Sequence, residues 1–532
     1  MKIVVADKIS ERGLEILRQP GWEVVTPEKG ALEAELAAAD ALVVRSATRV
    51  TAPLLEQAAR LRVVGRAGVG VDNIDLDAAT RRGVLVMSTP GGNAVSVAEH
   101  TFALLLALAR HVPRLDAAIH AGRWEKGTSA GVELRGKTLG LIGLGRIGGE
   151  VARRANAFEM RVLAYDPYIS EQVAQEARVE LVPLADLLGR SDFVSLHAAL
   201  SPATEKMINA TTLAQMKRGA RLINAARGEL VEEAALAAAL RSGHLAGAAL
   251  DVFAAEPPRD SPLTALPSVI ATPHVAGSTE EAQEEVGTLI AQQVKDFLAE
   301  GILRNAVNLP PLSAEQYRRV RPYLDLAERL GSLVGQVVEG RPERVRISYA
   351  GEPAELGTHI LRNAVLAGLL NTVLDEKVNL VNAGTVAAAR GLAVEEHTRR
   401  REYGFPHTIE VAALCDPHVP CARSVSIEGT VLHGTSPRVL NIDGIALEAP
   451  LEGTLLYLRN RDEPGVIGQI GTILGRQGVN IATFSLGRLA GERGVEAVSL
   501  VRLDGEVTPA MVEPIRGISA VTESKLVRIP ET

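Results

Sequence analysis

Short apolar runs alternate with helical stretches in two successive series along this 532-residue chain, and this alternation constrains the fold more than any other feature. The runs are rich in valine and apolar on both faces, which is typical of buried parallel strands. The pattern predicts two α/β units, of which the second is a complete doubly wound sheet. The predicted strands are 2–6, 23–26, 41–45, 62–65 and 84–88, then 139–143, 161–165, 193–196, 220–224, 247–251 and 269–272.

The second half of the chain has a different organisation. Prolines at 310–311 indicate a linker, and residues 312–450 read as a further α/β region without a chemical motif. Residues 453–530 then follow the order strand, helix, strand, strand, helix, strand, which predicts a ferredoxin-like βαββαβ unit.

Composition removes several classes of protein. Lys plus Arg total 57 and Asp plus Glu total 64, and the resulting net charge of −7 argues against a general affinity for nucleic acid. The two cysteines exclude a disulfide scaffold. We find no apolar run of the roughly 18 residues that a membrane span requires, and no signal-peptide core, so we expect a cytoplasmic protein.

A glycine-rich turn between a predicted strand and a predicted helix is the strongest local motif. Gly143 permits the tight turn, Gly145 lets the backbone approach a pyrophosphate, and Gly148 lets the helix pack close to the strand. Asp166 ends the next strand, 18 residues after Gly148, where a ribose-binding carboxylate belongs. Because no basic residue follows Asp166 directly, the motif favours NAD over NADP. The alternative is a structural turn with an unrelated strand-end aspartate.

Three polar residues follow later strands of the second series: Arg227, Glu256 and His274. Each alone has an ordinary interpretation, as a capping arginine, a solvated glutamate or a hydrogen-bonded histidine. Together they supply the chemistry of a 2-hydroxy acid dehydrogenase. A guanidinium can hold a carboxylate and polarise a carbonyl, an imidazole can take the hydroxyl proton, and a carboxylate can orient that imidazole.

These motifs, over residues 1 to about 308, resemble the D-isomer-specific 2-hydroxyacid dehydrogenases. The resemblance implies that Arg227 binds the substrate carboxylate and carbonyl, that His274 is the acid/base, and that Glu256 is its partner. It also implies an NAD-binding domain inserted into a flavodoxin-like substrate domain, with the catalytic cleft between them. The cofactor-binding residues are then Gly143, Gly145, Arg146, Ile147, Gly148, Asp166, Ala225 and Asp251, the last on the nicotinamide side.

The stretch 41–75 most resembles members of this family that oxidise 3-phosphoglycerate. The resemblance implies that Arg45 meets the substrate phosphate and that backbone amides near Gly68 to Gly70 hold its carboxylate. Arg66 is a further phosphate candidate. The implied substrate-binding residues are Arg45, Ser46, Gly68, Val69, Gly70, Asn93 and Lys126, the last from this or a neighbouring subunit. Ordinary surface charges are the alternative for Arg45 and Lys126.

The C-terminal unit resembles an ACT domain, a regulatory module for small molecules, on the stretches 461–467 and 478–481. The resemblance implies that Asp462 and Asn480 bind L-serine across a dimer interface, where a carboxylate suits an ammonium and an amide suits a carboxylate. Asn460, two residues before Asp462, completes the candidate effector site, although relatives often have His or Tyr there. A dimerisation module without an effector is the alternative.

The middle region resembles the intervening domain of the longer family members on the stretch 378–391. Within it, His407, Cys415, His418 and Cys421 have a spacing that would suit zinc. Buried small cysteines and loop histidines are the interpretation that we favour, so we expect no metal. The resulting domain prediction is 1–91 with 278–308 for substrate, 92–277 for NAD, 309–450 intervening and 451–532 regulatory.

The resemblance therefore implies an NAD-dependent oxidation of 3-phosphoglycerate to 3-phosphohydroxypyruvate, the entry to serine synthesis, with L-serine as effector. Two alternatives stay open. One is a hydroxypyruvate or glyoxylate reductase of the same family, against which Arg45 and the ACT-like unit argue. The other is an NAD-sensing co-repressor, a binding protein rather than an enzyme. We expect a homo-oligomer, either a dimer or a tetramer.

Overall fold

The computed structural model describes residues 1–28, 30–126, 130–310, 312, 314–400, 404–416, 418, 423–489 and 496–530. The first series of apolar runs forms a five-stranded parallel sheet in the order β2-β1-β3-β4-β5. Its strands are β1 (Lys2–Val5), β2 (Glu23–Val25), β3 (Ala41–Val44), β4 (Val63–Arg66) and β5 (Leu85–Met87). The helices between them are α1 (Glu11–Leu17), α2 (Leu32–Leu36), α3 (Ala52–Gln57) and α4 (Leu76–Arg81).

The second series forms a seven-stranded parallel sheet in the order β12-β11-β10-β9-β6-β7-β8. Its strands are β6 (Thr138–Ile142), β7 (Arg161–Tyr165), β8 (Glu180–Leu181), β9 (Phe193–Leu196), β10 (Arg221–Asn224), β11 (Gly247–Leu250) and β12 (Val269–Ala271). The edge strand β8 was not predicted, because two residues are too few to show a periodicity.

The helices that accompany this sheet include the mostly apolar α5, which is buried along most of its length. They are α5 (Ala94–Arg110), α6 (Val112–His120), α7 (Arg146–Ala157), α8 (Glu171–Glu176), α9 (Leu184–Arg190), α10 (Ala210–Gln215) and α11 (Glu233–Arg241). The next helix, α12 (Glu280–Glu300), returns to the first sheet, where Val294 and Ile290 pack against Gly65 of β4.

The middle region forms a mixed six-stranded sheet in the order β14-β13-β15-β16-β17-β18. Its strands are β13 (Pro342–Ala350), β14 (Ala393–Arg399), β15 (Thr408–Cys415), β16 (Val425–Leu432), β17 (Ser436–Ile442) and β18 (Ile445–Pro450). Its helices are α13 (Ala314–Val337), α14 (Glu352–Glu355), α15 (Thr358–Leu370) and α16 (Ala383–Ala389). Gly331 of α13 and Gly368 of α15 lie directly on each other's helix backbone, which lets the two helices approach closely.

The C-terminal unit is an antiparallel sheet in the order β20-β21-β19-β22, with the expected βαββαβ connectivity. Its elements are β19 (Thr454–Arg461), α17 (Val466–Arg476), β20 (Asn480–Arg488), β21 (Glu496–Asp504), α18 (Pro509–Val512) and β22 (Val521–Arg528). The predicted second helix of this unit is α18 continued by a 3₁₀ turn at Glu513–Gly517. The predicted fold class is confirmed in all four units.

One apolar core joins three of these units. Val294 of α12, Leu330 of α13, Tyr349 of β13 and Tyr457 of β19 belong to the same buried cluster. The middle region also contacts the first unit through Asn379, whose Nδ2 donates to the carbonyl oxygen of Gly83 at 2.8 Å. The predicted domain boundaries stay predictions, but the units that they separate share packed interfaces.

None of the helices in the described residues combines the length and the apolar character that a membrane span requires.

Candidate active site

The predicted catalytic residues meet where the first and second units face each other. Arg227, Asp251 and His274 follow β10, β11 and β12, which are neighbours in one parallel sheet. The carboxyl ends of parallel strands share one edge, so the three residues lie side by side there. Across the cleft, residues 67–73 follow β4 of the first unit.

His274 and Glu256 form a hydrogen-bonded pair. Nδ1 of His274 lies 2.8 Å from Oε2 of Glu256, and the other carboxylate oxygen of Glu256 accepts from the amide of Phe253 at 3.2 Å. His274 has a positive φ of 53°, and its amide donates to the carbonyl of Asp251. This pairing places the proton on Nδ1 and leaves Nε2 as the nitrogen that can take a proton from a ligand.

Arg227 reaches across the cleft to the loop of the first unit. Its Nη1 donates to the carbonyl of Ala226 at 2.7 Å, while Nε and Nη2 lie 3.0 and 2.9 Å from Oδ2 of Asp72. The guanidinium lies against Gly70, where a Cβ would overlap Nη2. The absence of a side chain at position 70 is therefore what lets Arg227 approach the backbone amides of this loop.

Two more guanidinium groups belong to the same electrostatic environment. Burial, and then the neighbouring charge of Arg227, lower the pKa of Arg66 to about 10, and Arg45 acts in the same direction. Nε of Arg66 is buried without a hydrogen-bond partner among the described residues, and the side chain folds over Gly68. A cation crowded by like charges and short of acceptors favours an anionic ligand.

The other predicted substrate residues are arranged less closely. Ser46 and Val69 lie in the loops after β3 and β4, and Oδ1 of Asn93 is buried without a partner in the described part of the chain. Lys126 is exposed, and within the described residues it makes no hydrogen bond or ion pair with the cleft residues. The structure therefore brings Arg45, Arg66 and Arg227 together. Within the described residues, no hydrogen bond or ion pair connects Lys126 to them.

The glycine-rich turn has the form that a dinucleotide needs. Gly143 has a φ of 95°, and a Cβ on Gly148 would overlap the carbonyl oxygen of Gly143, so helix α7 can pack this closely only without a side chain there. Gly145, by contrast, faces open space. Asp166 accepts from the amide of Leu144 at 2.8 Å, which ties the strand-end carboxylate to the turn. These residues fit a bound NAD.

Asp251 is fully buried under the catalytic residues. It accepts from the amides of Val275 and Ala276 at 3.0 and 2.9 Å and from Thr272 Oγ1 at 2.6 Å. Nε2 of His100 lies 3.4 Å from the same carboxylate. Burial acts to raise the pKa of Asp251, but these hydrogen bonds hold it below the ordinary value. Asp251 is thus an anion that orders the backbone next to His274.

The predicted cofactor residue Ala225 lies next to this network. It packs against Val97 and Ala276, with Ile147 of α7 beside them. Arg146, at the start of α7, donates to the carbonyl oxygen of Pro90 and so connects the turn to the first unit.

Two polar residues of this site, His100 and Asp72, were not predicted from the sequence. His100 is one of several polar residues in the mostly apolar helix α5, so no signal in the sequence singled it out. Asp72 stands in the stretch used for the family resemblance, but nothing local shows that it faces Arg227.

The three candidate effector residues do not come together within one chain. Strands β19 and β20 are parallel to each other, and Asp462 follows the end of β19, whereas Asn480 begins β20 beside Asp504. The two residues are thus separated by the length of an eight-residue strand, about 25 Å. Asn460 is buried, and its Oδ1 has no partner within the described ranges.

Cys421 lies outside the described residues, so the full zinc candidate has no described geometry. Nδ1 of His407 accepts from the amide of Glu352 at 3.0 Å, and Sγ of Cys415 lies 3.6 Å from the carbonyl of Glu339. Burial raises the pKa of the Cys415 thiol. No cluster of three metal-ligating side chains occurs in the part of the chain that the structure describes.

Three family models match the chain. The D-isomer specific 2-hydroxyacid dehydrogenase NAD-binding domain matches residues 102–276. The D-3-phosphoglycerate dehydrogenase intervening domain matches residues 319–443, and the ACT domain matches residues 454–519.

Curated relatives align over the whole chain. D-3-phosphoglycerate dehydrogenase of Methanocaldococcus jannaschii is 42% identical over 533 residues, covering 99% of this chain and 100% of the relative. The enzyme of the same name from Bacillus subtilis is 40% identical over 531 residues, with 99% and 100% covered.

Solved structures resemble somewhat more than half of the chain. A protein from Thermus thermophilus has a TM-score of 0.53 and 38% identity, covering 58% of this chain and 100% of that protein. A glyoxylate reductase from Paecilomyes thermophila has a TM-score of 0.53 and 29% identity, covering 58% and 98%.

Proposed function

Because the chain belongs to the D-3-phosphoglycerate dehydrogenase family, we propose that it oxidises the 2-hydroxyl group of 3-phospho-D-glycerate to give 3-phosphohydroxypyruvate. NAD is the cofactor, and this reaction is the first step of L-serine biosynthesis. The observation that carries the proposal is the position of Arg227 against Gly70, with Arg66 and Arg45 in the same electrostatic environment. A substrate with both a carboxylate and a phosphate matches such a set of cations.

In the proposed mechanism, His274 is the general base. Glu256 holds Nδ1, so Nε2 is free to take the proton of the substrate hydroxyl. The turn at Gly143 to Gly148 and Asp166 would hold NAD, which would supply the acceptor for the hydride from C2. Arg227 and the amides of the 68–70 loop hold the substrate carboxylate, and Arg227 also polarises the carbonyl as it forms. The protonated imidazole that results is stabilised by the adjacent carboxylate of Glu256.

The phosphate contact is the feature that separates this function from that of an unphosphorylated 2-hydroxyacid dehydrogenase. The rate of NADH formation is measured with 3-phosphoglycerate and with D-glycerate as substrates. In the reverse direction, the rate of NADH consumption is measured with 3-phosphohydroxypyruvate, hydroxypyruvate and glyoxylate. We expect the phosphorylated substrates to have the larger kcat/KM by at least about tenfold. Faster reduction of glyoxylate or hydroxypyruvate would support the reductase, and a lack of turnover with every substrate would support a binding protein.

An Arg45→Ala variant makes the same test at residue level. It should raise KM for 3-phosphoglycerate about tenfold or more, while turnover of D-glycerate stays at the wild-type level. Arg49→Ala, a nearby exposed arginine, is the control. An equal loss of kcat/KM with 3-phosphoglycerate and with D-glycerate would contradict a phosphate contact at Arg45.

The ACT domain indicates a regulatory amino acid. We propose that L-serine binds between two copies of the chain, because Asp462 and Asn480 lie at opposite ends of one sheet and need a partner subunit to meet. This proposal requires a homo-oligomer, and sedimentation or light scattering measures its size. The cytoplasmic location stays a prediction.

Calorimetric titration with L-serine tests the effector site. We expect binding to the wild-type protein and at least about tenfold weaker binding to Asp462→Ala and to Asn480→Ala. Glu506→Ala, an exposed acidic residue of the same domain, should bind as wild type does. If the wild-type protein gives no heat of binding with L-serine, the domain is a dimerisation module without this effector.

A further inference from the structure

Asp72 is the one carboxylate that, within the described residues, makes direct contact with Arg227. A single oxygen, Oδ2, lies 3.0 Å from Nε and 2.9 Å from Nη2 of Arg227. The two residues are 155 positions apart and belong to the two units on either side of the cleft. The pair is therefore a connection between units, made at the proposed substrate-binding arginine.

The hydrogen-bond donors of Arg227 can be accounted for individually. A guanidinium has five N–H groups: one on Nε, two on Nη1 and two on Nη2. Asp72 accepts from Nε, and the carbonyl of Ala226 accepts from one N–H of Nη1. Nη2 lies 2.9 Å from the same Asp72 oxygen as an ion-pair contact. Three donors remain, one on Nη1 and two on Nη2. A bidentate contact to a carboxylate or carbonyl uses two of them.

The surroundings of the pair make its orientation specific. The guanidinium lies against the bare Cα of Gly70, so it cannot move further toward the loop. Asn224 donates to the carbonyl of Arg227 at 2.8 Å and accepts from the amide of Ala226, which fixes the backbone that carries the side chain. Together with the carbonyl of Ala226, Asp72 sets the rotation of the guanidinium, and its side chain is 61% exposed.

We propose that Asp72 is a positioning residue for the oxidation: it holds the Nε edge of Arg227 so that N–H donors of Nη1 and Nη2 face the substrate carboxylate and the forming carbonyl. This inference rests on the proposed function. Its charge also offsets the repulsion among Arg227, Arg66 and Arg45 at the same place.

This role predicts a specific kinetic signature. Asp72→Asn keeps an acceptor oxygen but removes the charge that fixes Arg227. A small misplacement of a group that acts in the transition state lowers kcat, by about tenfold to a hundredfold. KM for 3-phosphoglycerate should stay the same or fall, because a negative charge near an anionic substrate has been removed. A general loss of folding would lower the apparent kcat in the Arg227→Lys background as well, so that background distinguishes it from an effect that acts through Arg227.

The variants Asp72→Asn and Asp72→Glu are measured beside wild type, with Asp77→Asn, an exposed residue of the following helix, as the control. We expect Asp72→Glu to recover part of kcat and Asp77→Asn to equal wild type. In an Arg227→Lys background, Asp72→Asn should cause less than about a threefold further loss, because the effect acts through Arg227.

Two results would overturn the inference. The first is an unchanged kcat in Asp72→Asn with a lower KM, which would make Asp72 a simple competitor of the substrate. The second is that Asp72→Asn lowers kcat as much in the Arg227→Lys background as it does in the wild-type protein. Failure of the proposed function is distinguishable from both, since the wild-type protein would then not oxidise 3-phosphoglycerate at all.

Discussion

At the scale of single residues, individual hydrogen bonds orient the side chains of the site. His274 shows this clearly, since its hydrogen bond to Glu256 determines which ring nitrogen is available for catalysis. The strained backbone at His274, with φ at 53°, is stabilised by the amide contact to the Asp251 carbonyl. The reactive side chain is thus oriented from both its ring and its backbone.

Replacing the proposed base tests this arrangement. His274→Ala should lower kcat about 10²- to 10⁴-fold, the usual contribution of general acid–base catalysis, with KM changed little. Steady-state kinetics with 3-phosphoglycerate and NAD measure the effect. His359→Ala, an exposed histidine far along the chain, is the control. A His274→Ala enzyme with the wild-type kcat would remove His274 from the mechanism.

His197 provides a pH test. It follows β9 beneath the glycine-rich turn, Nε2 lies 2.9 Å from Oγ of Ser195, and burial lowers the pKa of His197 to about 4. The unfolded chain binds a proton there below about pH 6.5, whereas the folded chain does not until about pH 4. Stability therefore falls as the pH falls through this window.

His197→Gln should remove that loss. Between about pH 7 and pH 4.5 we expect its Tm to decrease by about 2–4 °C less than the Tm of wild type. Differential scanning calorimetry at several pH values measures the difference. His359→Gln should follow the wild-type curve, and identical curves for all three proteins would show that His197 is not a source of the acid sensitivity.

At the scale of elements, glycines set how closely helices approach. Gly331 of α13 lies on the carbonyl of Val365, and Gly368 of α15 lies on the carbonyl of Glu328. The neighbouring atoms are backbone, so a side chain at either position cannot be accommodated by rotating a side chain. Gly475 of α17 is different, because it is exposed and faces open space.

Alanine substitutions at Gly331 and Gly475 should change the free energy of unfolding in opposite directions. Gly331→Ala should lower the free energy of unfolding by at least about 1–3 kcal/mol through overpacking. Gly475→Ala should raise it by about 0.5–1 kcal/mol, because alanine reduces the entropy lost on helix formation. Urea unfolding of both variants measures this. A stabilised Gly331→Ala variant would mean that α13 and α15 do not pack as closely as the structure has them.

At the scale of the whole molecule, the units are packed against one another through shared core. The face of the last sheet that carries Leu455 and Tyr457 belongs to the same core as α13 and β13. An ion pair and a hydrogen bond lie beside this apolar contact. Arg423 pairs with Glu523, and Lys525 donates to the carbonyl of Val337 at 2.7 Å. Burial raises the pKa of the Tyr457 hydroxyl to about 12, so it remains a protonated group inside this interface.

Removal of residues 451–532 should therefore destabilise the middle region. It would expose apolar surface that Tyr457 and its neighbours now cover, at a cost of about 25 cal/mol for each Å². We expect the truncated chain to bind a hydrophobic dye and to unfold at a lower temperature than the full chain. An unchanged first unfolding transition without dye binding would show that the last domain is energetically separate.

The sequence by itself determined the features that depend on local physics. The βα alternation, the turn at Gly143 to Gly148, and the strand-end positions of Arg227 and His274 all follow from periodicity and turn chemistry within short segments. The resemblance then connected these residues to one reaction. The comparisons confirm the family and the cofactor.

Only the tertiary structure decided which distant segments meet. It paired Asp72 with Arg227 and His100 with Asp251, and it joined Asn379 of the middle region to Gly83 of the first unit. It also separated Asp462 from Asn480 by the length of a strand. Such contacts depend on how whole sheets and helices pack, and no local pattern in the chain encodes that packing.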